Sequence, residues 1–166
     1  VPDSGITAAQ GYAQESGIPF GIAFYKNSYV GRTFIKPTQK ERESSVRLKL
    51  SVLKSAVKDK NIVLIDDSIV RGTTIANLIR LLKHAGALKV HVRISSPPFL
   101  YPCYFGTDVP SNQQLIASSR SAEEIRQLIG ADSLGYLNVE DLKSMTDDLP
   151  LCKACFDKQY PMDISV

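Results

Sequence analysis

Hydrophobic positions divide the centre of the chain into a strand, a helix and a second strand. Residues 62–65 are a continuous apolar run, typical of a strand covered on both faces. Apolar residues then recur at helical spacing, at Ile75, Leu78, Ile79 and Leu82. Gly86 suits the C-terminal end of that helix, and residues 90–94 alternate between apolar and polar as in a strand. The pattern predicts a βαβ unit with parallel strands over residues 62–95.

Similar patterns predict further elements on either side of this unit. Before it, apolar spacing predicts a helix from Ile6 that stops at Gly17, and residues 18–25 are apolar enough for a strand. After it, a capping-box sequence predicts a helix over 121–130. A short strand over 134–137 and a helix capped by Asn138 follow. Strands alternating with helices predict an α/β fold with a mostly parallel sheet flanked by helices.

The first strand of the central unit ends in two acids, Asp66 and Asp67. Ligands of open α/β sheets bind at the carboxyl ends of the strands. The loop 68–74 that follows matches neither the P-loop nor the dinucleotide pattern, but it offers hydroxyl groups and the N–H groups of a helix start, which favour phosphate. A molecule that carries both sugar hydroxyls and a phosphate could bind to the acids through its hydroxyls and to the loop through its phosphate.

Two further segments favour anion binding. The sequence Pro-Asp-Ser-Gly at 2–5 forms a turn at a helix start, which is either a second anion site or a plain helix cap. From Lys26 the chain is basic, aromatic and interrupted by glycine, and it stays polar to about residue 47. Such a long loop is typical of a lid, with a solvated hairpin as the alternative.

Residues 62–74, with the sequence Ile-Val-Leu-Ile-Asp-Asp-Ser-Ile-Val-Arg-Gly-Thr-Thr, resemble the phosphoribosyl pyrophosphate (PRPP) motif of type I phosphoribosyltransferases. The resemblance implies that family's fold, with a flexible active-site loop. It implies that Asp66 and Asp67 hold the ribose hydroxyls, directly or through a metal. The implied 5-phosphate pocket is lined by Ser68, Arg71, Gly72, Thr73 and Thr74.

The chain is similar, more narrowly, to the glutamine PRPP amidotransferase family. Val-Pro-Asp-Ser-Gly at 1–5 and Lys-Asn-Ser-Tyr-Val-Gly-Arg-Thr-Phe-Ile at 26–35 occur there together with the 66–74 core. The implied pyrophosphate loop consists of Pro2, Asp3, Ser4 and Gly5. The resemblance implies that Lys26, Tyr29 and Arg32 act in a loop that closes over PRPP. It also implies Mg²⁺ held through Ser4, Asp66 and Asp67.

This resemblance implies an activity. Ammonia, released from glutamine in the whole enzyme, would attack C1 of PRPP to give 5-phosphoribosylamine and pyrophosphate, the first committed step of purine synthesis. It also implies feedback inhibition by purine nucleotides and a homo-oligomer. A base-salvage phosphoribosyltransferase, a non-catalytic PRPP-sensing regulator and an inert remnant are the alternatives.

The resemblance also predicts how the chain is organised. We expect residues 1–166 to form one phosphoribosyltransferase domain. We also expect the chain to be a fragment that lacks the glutaminase domain and the strand that should lead into the first loop. Residues 103–166 would be a C-terminal extension that carries cysteine ligands.

The three cysteines of the chain are Cys103, Cys152 and Cys155. The Cys-x-x-Cys spacing of the last two is compatible with metal binding, a redox pair or plain reduced thiols. One branch of the resembled family holds a [4Fe–4S] cluster through four cysteines. The resemblance implies that these three are ligands and that the fourth lies outside this chain.

Composition narrows the classes of function. A net charge of +3 without a Lys/Arg run argues against nucleic-acid binding. No apolar stretch approaches the ~18 residues of a membrane span, and no signal or lipidation motif is present. Together with the 43% apolar content, these features predict a cytoplasmic globular protein without membrane association.

Overall fold

The computed structural model describes residues 1–26, 50–107, 111–146 and 149–163. The helices are α1 (Ile6–Ser16), α2 (Lys54–Val57), α3 (Thr73–His84), α4 (Ala122–Ile129), α5 (Asp141–Met145) and α6 (Ala154–Asp157). The strands are β1 (Phe24–Lys26), β2 (Leu50–Val52), β3 (Asn61–Asp66), β4 (Lys89–Ile94) and β5 (Ser133–Tyr136). Two 3₁₀ turns, Asn112–Gln114 and Ile116–Ser118, precede α4.

Strands β3, β4 and β5 form a parallel sheet in that order. Its register places Leu64 beside Val92 and Val92 beside Leu134. Strands β1 and β2 pair separately as an antiparallel ribbon. The predicted βαβ unit is confirmed, since β3 and β4 are parallel neighbours joined through α3. The predicted α/β fold with a parallel sheet and helices is confirmed as well.

The main core lies between the sheet and helices α3 and α4. The side chains that are almost completely buried include Leu78, Ile79, Leu82, Val90, Val92 and Ile125. Burying an aliphatic side chain of this size stabilises the fold by about 1.5–3 kcal/mol relative to leaving it exposed. The helical and alternating patterns therefore meet on one set of buried residues, and this packing holds the end of β3 beside the start of α3.

Helix α4 begins with the predicted capping box. The Ser121 side chain accepts a hydrogen bond from the Glu124 backbone, and the Glu124 carboxylate accepts one from the Ser121 backbone at 2.7 Å. The helix ends at Gly130, which has a φ of 74° in the left-handed region that favours glycine. Both predicted boundaries of this helix are confirmed.

Two sequence predictions are wrong in extent. The predicted strand over 18–25 is reduced to Phe24–Lys26, and Ile18 and Ile22 lie exposed at 44% and 63%. Pro19 has no N–H to donate and Gly21 adds no side chain to pack, so this stretch makes a poor strand. The last predicted helix begins at Asp141, and Asn138 donates to the Asp141 side chain instead of capping the backbone.

None of the helices in the described ranges has the length and apolar character needed to cross a lipid bilayer. The predicted flexible loop after Lys26 lies outside the described residues.

Replacing Ser121 with alanine removes the side-chain acceptor of the α4 capping box. We expect Ser121→Ala to lower the free energy of unfolding by about 1 kcal/mol. Urea denaturation would measure the loss. Ser121→Thr keeps a hydroxyl acceptor and serves as the matched control, with little expected change. Equal stability of the alanine and wild-type proteins would contradict a stabilising role for this cap.

Candidate functional site

A cavity of about 600 Å³ lies at the carboxyl end of β3, where the chain turns into α3. Nine of its lining residues are predicted site residues: Pro2, Ser4, Asp66, Asp67, Ser68, Arg71, Gly72, Thr73 and Thr74. Thr107 and Gln114 also line it, and they come from segments that the sequence reasoning did not connect with the site. The fold therefore brings the first turn of the chain, the acid pair and the loop before α3 to one place.

The two acids occupy different environments. Asp66 is the last residue of β3 and is only 6% exposed, whereas Asp67 lies on the rim. The Asp67 backbone N–H donates to Asp66 Oδ1 at 3.0 Å. The Asp67 carboxylate accepts hydrogen bonds from Ser4 Oγ at 2.9 Å and Ser68 Oγ at 3.1 Å. The predicted acids and hydroxyls thus form one hydrogen-bonded cluster.

These environments shift the pKa values of the two carboxyl groups in opposite directions. Burial, followed by the hydrogen bond with Asp67, raises the pKa of Asp66 to about 7. Burial also acts on Asp67, but hydrogen bonds from Asp66, Ser4 and Ser68 outweigh it and lower the pKa of Asp67. Near neutral pH and without a cation, Asp66 is therefore partly protonated while Asp67 is ionised. A bound divalent cation would favour the fully ionised pair.

The start of α3 offers N–H groups to the same cavity. No side chain caps this helix, and its first turn contains no acidic residue. Gly72, directly before it, has a φ of 79°, and a Cβ at that position would lie 3.0 Å from Ile116 Cδ1. The free N–H groups and the positive end of the helix dipole make this a suitable site for a phosphate.

The turn at residues 2–5 is bound closely to the end of β3. The Val1 nitrogen donates to the Ile65 carbonyl at 2.6 Å, and the Gly5 N–H donates to the Val1 carbonyl at 3.0 Å. A Cβ on Gly5 would lie only 2.7 Å from the Ile65 oxygen. Glycine is therefore required here for a steric reason, because a side chain would push the turn away from the strand.

Lys26 is the one member of the predicted closing loop whose position the structure describes. Its ammonium group forms an ion pair with Asp3 of the first turn. This contact brings a cation beside the predicted pyrophosphate loop. Tyr29 and Arg32, the other two predicted catalytic residues, lie outside the described residues.

The segment that carries Gln114 and Ile116 supports the loop before α3, although the sequence did not predict it to be part of the site. Arg71 Nη2 donates to Gln114 Oε1, and the Ile116 N–H donates to the Val70 carbonyl at 2.8 Å. The residues after Gln114 are buried: Leu115, Ile116 and Ala117. That apolar triplet in a polar stretch was the available sequence signal, but nothing in its spacing pointed to the phosphate loop.

The three cysteines lie in the part of the structure where the tail returns to residues 99–104. The Cys155 carbonyl accepts hydrogen bonds from the N–H groups of Leu100 and Tyr101 at 2.9 and 3.0 Å. The Phe99 and Phe156 rings pack with centroids 5.1 Å apart. These contacts bring α6, which carries Cys155, to the segment that carries Cys103.

The cysteines also differ in acidity. Burial of Cys103 opposes ionisation, but backbone N–H groups of residues 105–107 outweigh it and lower the pKa of this thiol to about 7. Burial, and then the negative charge of Cys103, raises the pKa of Cys155 to about 11, with a smaller contribution from Cys152. Cys103 and Cys152 thus both disfavour ionisation of Cys155. Among the described residues, no group of three or more His, Cys, Asp and Glu side chains is arranged so that it could hold a metal ion.

Comparison with known proteins agrees with this geometry. Residues 1–95 match the phosphoribosyl transferase domain family. The amidophosphoribosyltransferase of Pyrococcus horikoshii is 56% identical over 161 residues, which cover 97% of this chain and 35% of that protein. The chain thus spans about a third of the length of the curated relatives it matches.

Solved structures show the same relationship. The glutamine PRPP amidotransferase of Bacillus subtilis, in complex with ADP and GMP, superimposes with a TM-score of 0.86 at 50% identity and covers 98% of this chain and 37% of that one. A structure described as the allosteric regulatory enzyme of purine biosynthesis gives a TM-score of 0.87 at 51% identity, over 99% of this chain and 37% of that one. The predicted resemblance is confirmed, and the chain belongs to the phosphoribosyl transferase domain family.

Proposed function

We propose that this chain is the PRPP-binding part of an amidophosphoribosyltransferase, which transfers ammonia to C1 of PRPP and releases pyrophosphate. The observation that carries the proposal is the single cavity in which a hydrogen-bonded acid pair faces an uncapped helix N-terminus. The amidophosphoribosyltransferase relatives, at about half identity over nearly the whole chain, support this choice of reaction.

The 5-phosphate of PRPP would bind at the start of α3. The N–H groups of the first helical turn and the hydroxyls of Ser68, Thr73 and Thr74 would donate to its oxygens. Arg71 would add a positive charge from the same loop. These contacts would fix one end of the substrate and so position C1 for attack.

The acid pair would hold the ribose hydroxyls. The donor set around it, two carboxylates and the Ser4 hydroxyl, consists of oxygen atoms only, which fits Mg²⁺. Mg²⁺ commonly uses one or two carboxylates and takes its remaining ligands from substrate phosphates and water. When bound, Mg²⁺ would neutralise charge on the pyrophosphate.

The turn at 2–5 and Lys26 would receive the pyrophosphate. Its phosphate oxygens would compete with Asp3 for the Lys26 ammonium, so substrate binding would exchange one ion pair for another. The C1–O bond to pyrophosphate would break as the ammonia lone pair forms the C1–N bond, and the excess proton would pass to solvent. Lys26 would stabilise the charge of the departing pyrophosphate. Roles for Tyr29 and Arg32 in a closing loop remain predictions.

Cys103, Cys152 and Cys155 would supply three ligands of a [4Fe–4S] cluster in the longer protein. Cys103 supports this assignment, because its sulfur accepts hydrogen bonds from the N–H groups of Gly106 and Thr107 at 3.5 and 3.3 Å. Such bonds stabilise a thiolate, the form that binds iron. The cluster would tie the tail to residues 99–104.

Other partners follow from the same assignment. Purine nucleotides carry a ribose 5-phosphate and would compete for the phosphate pocket, and the B. subtilis relative was solved with ADP and GMP. Glutamine would supply the ammonia in the whole enzyme. Homo-oligomer formation and a cytoplasmic location also remain predictions.

Replacing Asp67 with asparagine keeps the shape of the side chain and removes its charge. We expect Asp67→Asn to weaken Mg²⁺-dependent PRPP binding by about 10- to 150-fold, since hydrogen bonds to charged groups contribute about 1.5–3 kcal/mol. Titration calorimetry would measure the affinity. Asp59→Asn, the same change on an exposed turn, is the control. Unchanged affinity in Asp67→Asn would refute the assignment of the acid pair.

Adding a methyl group at Gly5 would displace the turn from the Ile65 carbonyl. We expect Gly5→Ala to reduce PRPP affinity at least about tenfold, because the turn loses its position beside the acids. Gly11→Ala is the matched control: no atom lies within 4 Å of its added Cβ, and alanine should stabilise α1 by about 0.5–1 kcal/mol. Normal affinity in Gly5→Ala would show that the turn does not contact the substrate.

The cluster assignment predicts a coloured protein. Anaerobic reconstitution of the full-length protein with iron and sulfide should give a brown product, and Cys155→Ser should lose most of its bound iron. Visible absorption and elemental analysis would measure both. A colourless wild-type protein that contains zinc would exclude the cluster.

A further inference from the structure

We infer that Gln114 is a positioning residue for substrate binding, because it orients the Arg71 guanidinium toward the phosphate of PRPP. The inference rests on the function proposed above and adds a residue to its site. Gln114 lies 43 positions after Arg71 in the chain, outside the segment that resembles the PRPP motif. Both side chains line the 600 Å³ cavity.

The loop before α3 is held from outside by the segment that contains Gln114. Ile116 contributes twice: its N–H donates to the Val70 carbonyl at 2.8 Å, and its Cδ1 atom occupies the space beside Gly72. Val70 and Gly72 flank Arg71 on its two sides. The backbone of the phosphate loop therefore rests on this segment at the residues next to the arginine.

Burial and hydrogen bonds hold this segment in place, so the backbone of Gln114 has a fixed position. Leu115, Ile116 and Ala117 are buried, at 2%, 6% and 8% exposure. The Ser118 hydroxyl donates to the carbonyls of Asn112 and Leu115 at 3.1 and 2.8 Å, which closes the turn around Gln114. A side chain on such a support can hold its partner in one direction.

Arginine needs such a partner more than a shorter side chain does. Its many rotamers carry roughly 2 kcal/mol of conformational entropy, which binding of an anion must otherwise overcome. The hydrogen bond from Arg71 to the Gln114 amide oxygen restricts those rotamers before the substrate arrives. Because the amide is neutral, it orients the guanidinium without cancelling its charge, and the remaining N–H groups stay available to a phosphate.

Gln113, the neighbour of Gln114, offers a matched control for testing the pair. Arg71 and Gln114 separate the substrate cavity from an open groove of about 640 Å³ that is also lined by Gln113. Gln113 is exposed and does not line the substrate cavity. The same substitution at Gln114 and at Gln113 therefore compares a glutamine that contacts Arg71 with a neighbouring glutamine that does not line the cavity.

The experiment measures PRPP affinity in the presence of Mg²⁺ by calorimetry, together with the melting temperature. Gln114→Met keeps the length of the side chain and removes the acceptor. We expect it to raise the Kd for PRPP by about 3- to 10-fold at an unchanged melting temperature. Gln113→Met should stay within about twofold of wild type.

A double-mutant cycle with Arg71→Met separates positioning from a general structural effect. If Gln114 acts through Arg71, Gln114→Met should change the Kd by less than about twofold in the Arg71→Met protein. An equal loss in both backgrounds, or no loss in the single variant, would overturn the inference while wild-type binding and the Arg71→Met defect still support the proposed function. Absence of PRPP binding in the wild type would overturn both.

Discussion

The close approach between Gly5 and the Ile65 carbonyl is the contact on which the rest of the site depends. It places the first turn of the chain against the end of β3, and the Val1 hydrogen bond to the same carbonyl holds it there. Ser4 can then reach Asp67, and Asp3 can meet Lys26. Without this contact, the turn at residues 2–5 and the acid pair would be separate features. With it, they border one cavity.

Electrostatics gives the two sides of that cavity opposite character. A buried carboxylate is costly unless it is paired, and the raised pKa of Asp66 expresses that cost. Asp67 remains more acidic because its hydrogen bonds with Asp66 and with two serine hydroxyls outweigh the effect of burial on its pKa. The uncapped start of α3 adds positive potential on the other side of the cavity. A ligand with a cation-coordinating diol or pyrophosphate at one end and a phosphate at the other complements both sides.

Parts of the chain outside the motifs contribute to the same arrangement. The segment around Ile116 fits into the space that Gly72 leaves and carries Gln114 to Arg71. The tail returns to residues 99–104 and brings Cys155 near Cys103, which is followed within four residues by Thr107 at the cavity wall. The relatives are about three times as long as this chain, so the described site is one region of a larger molecule in those proteins.

Elements whose signals are local could be predicted from the order of the residues alone. The apolar run of β3, the helical spacing of α3 and the capping box of α4 depend on residues within a few positions of one another, and each appears where predicted. The acid pair and the loop before α3 could be placed at the end of β3 for the same reason, because they follow it directly in the sequence. Residues 18–23 were wrongly predicted to be part of a strand. Pro19 and Gly21 argue locally against a strand, but the prediction gave more weight to the apolar content of the segment.

Features that depend on residues far apart in the sequence follow only from the packing of the folded chain. The different acidities of Asp66 and Asp67 depend on burial and, beside the local hydrogen bonds, on Ser4, which lies 63 positions away from Asp67. The requirement for glycine at position 5 comes from the Ile65 carbonyl on β3, and the partner of Arg71 comes from a turn after β4. Periodicity carries no information about such contacts, because they are set by how the packed elements bring separate segments together.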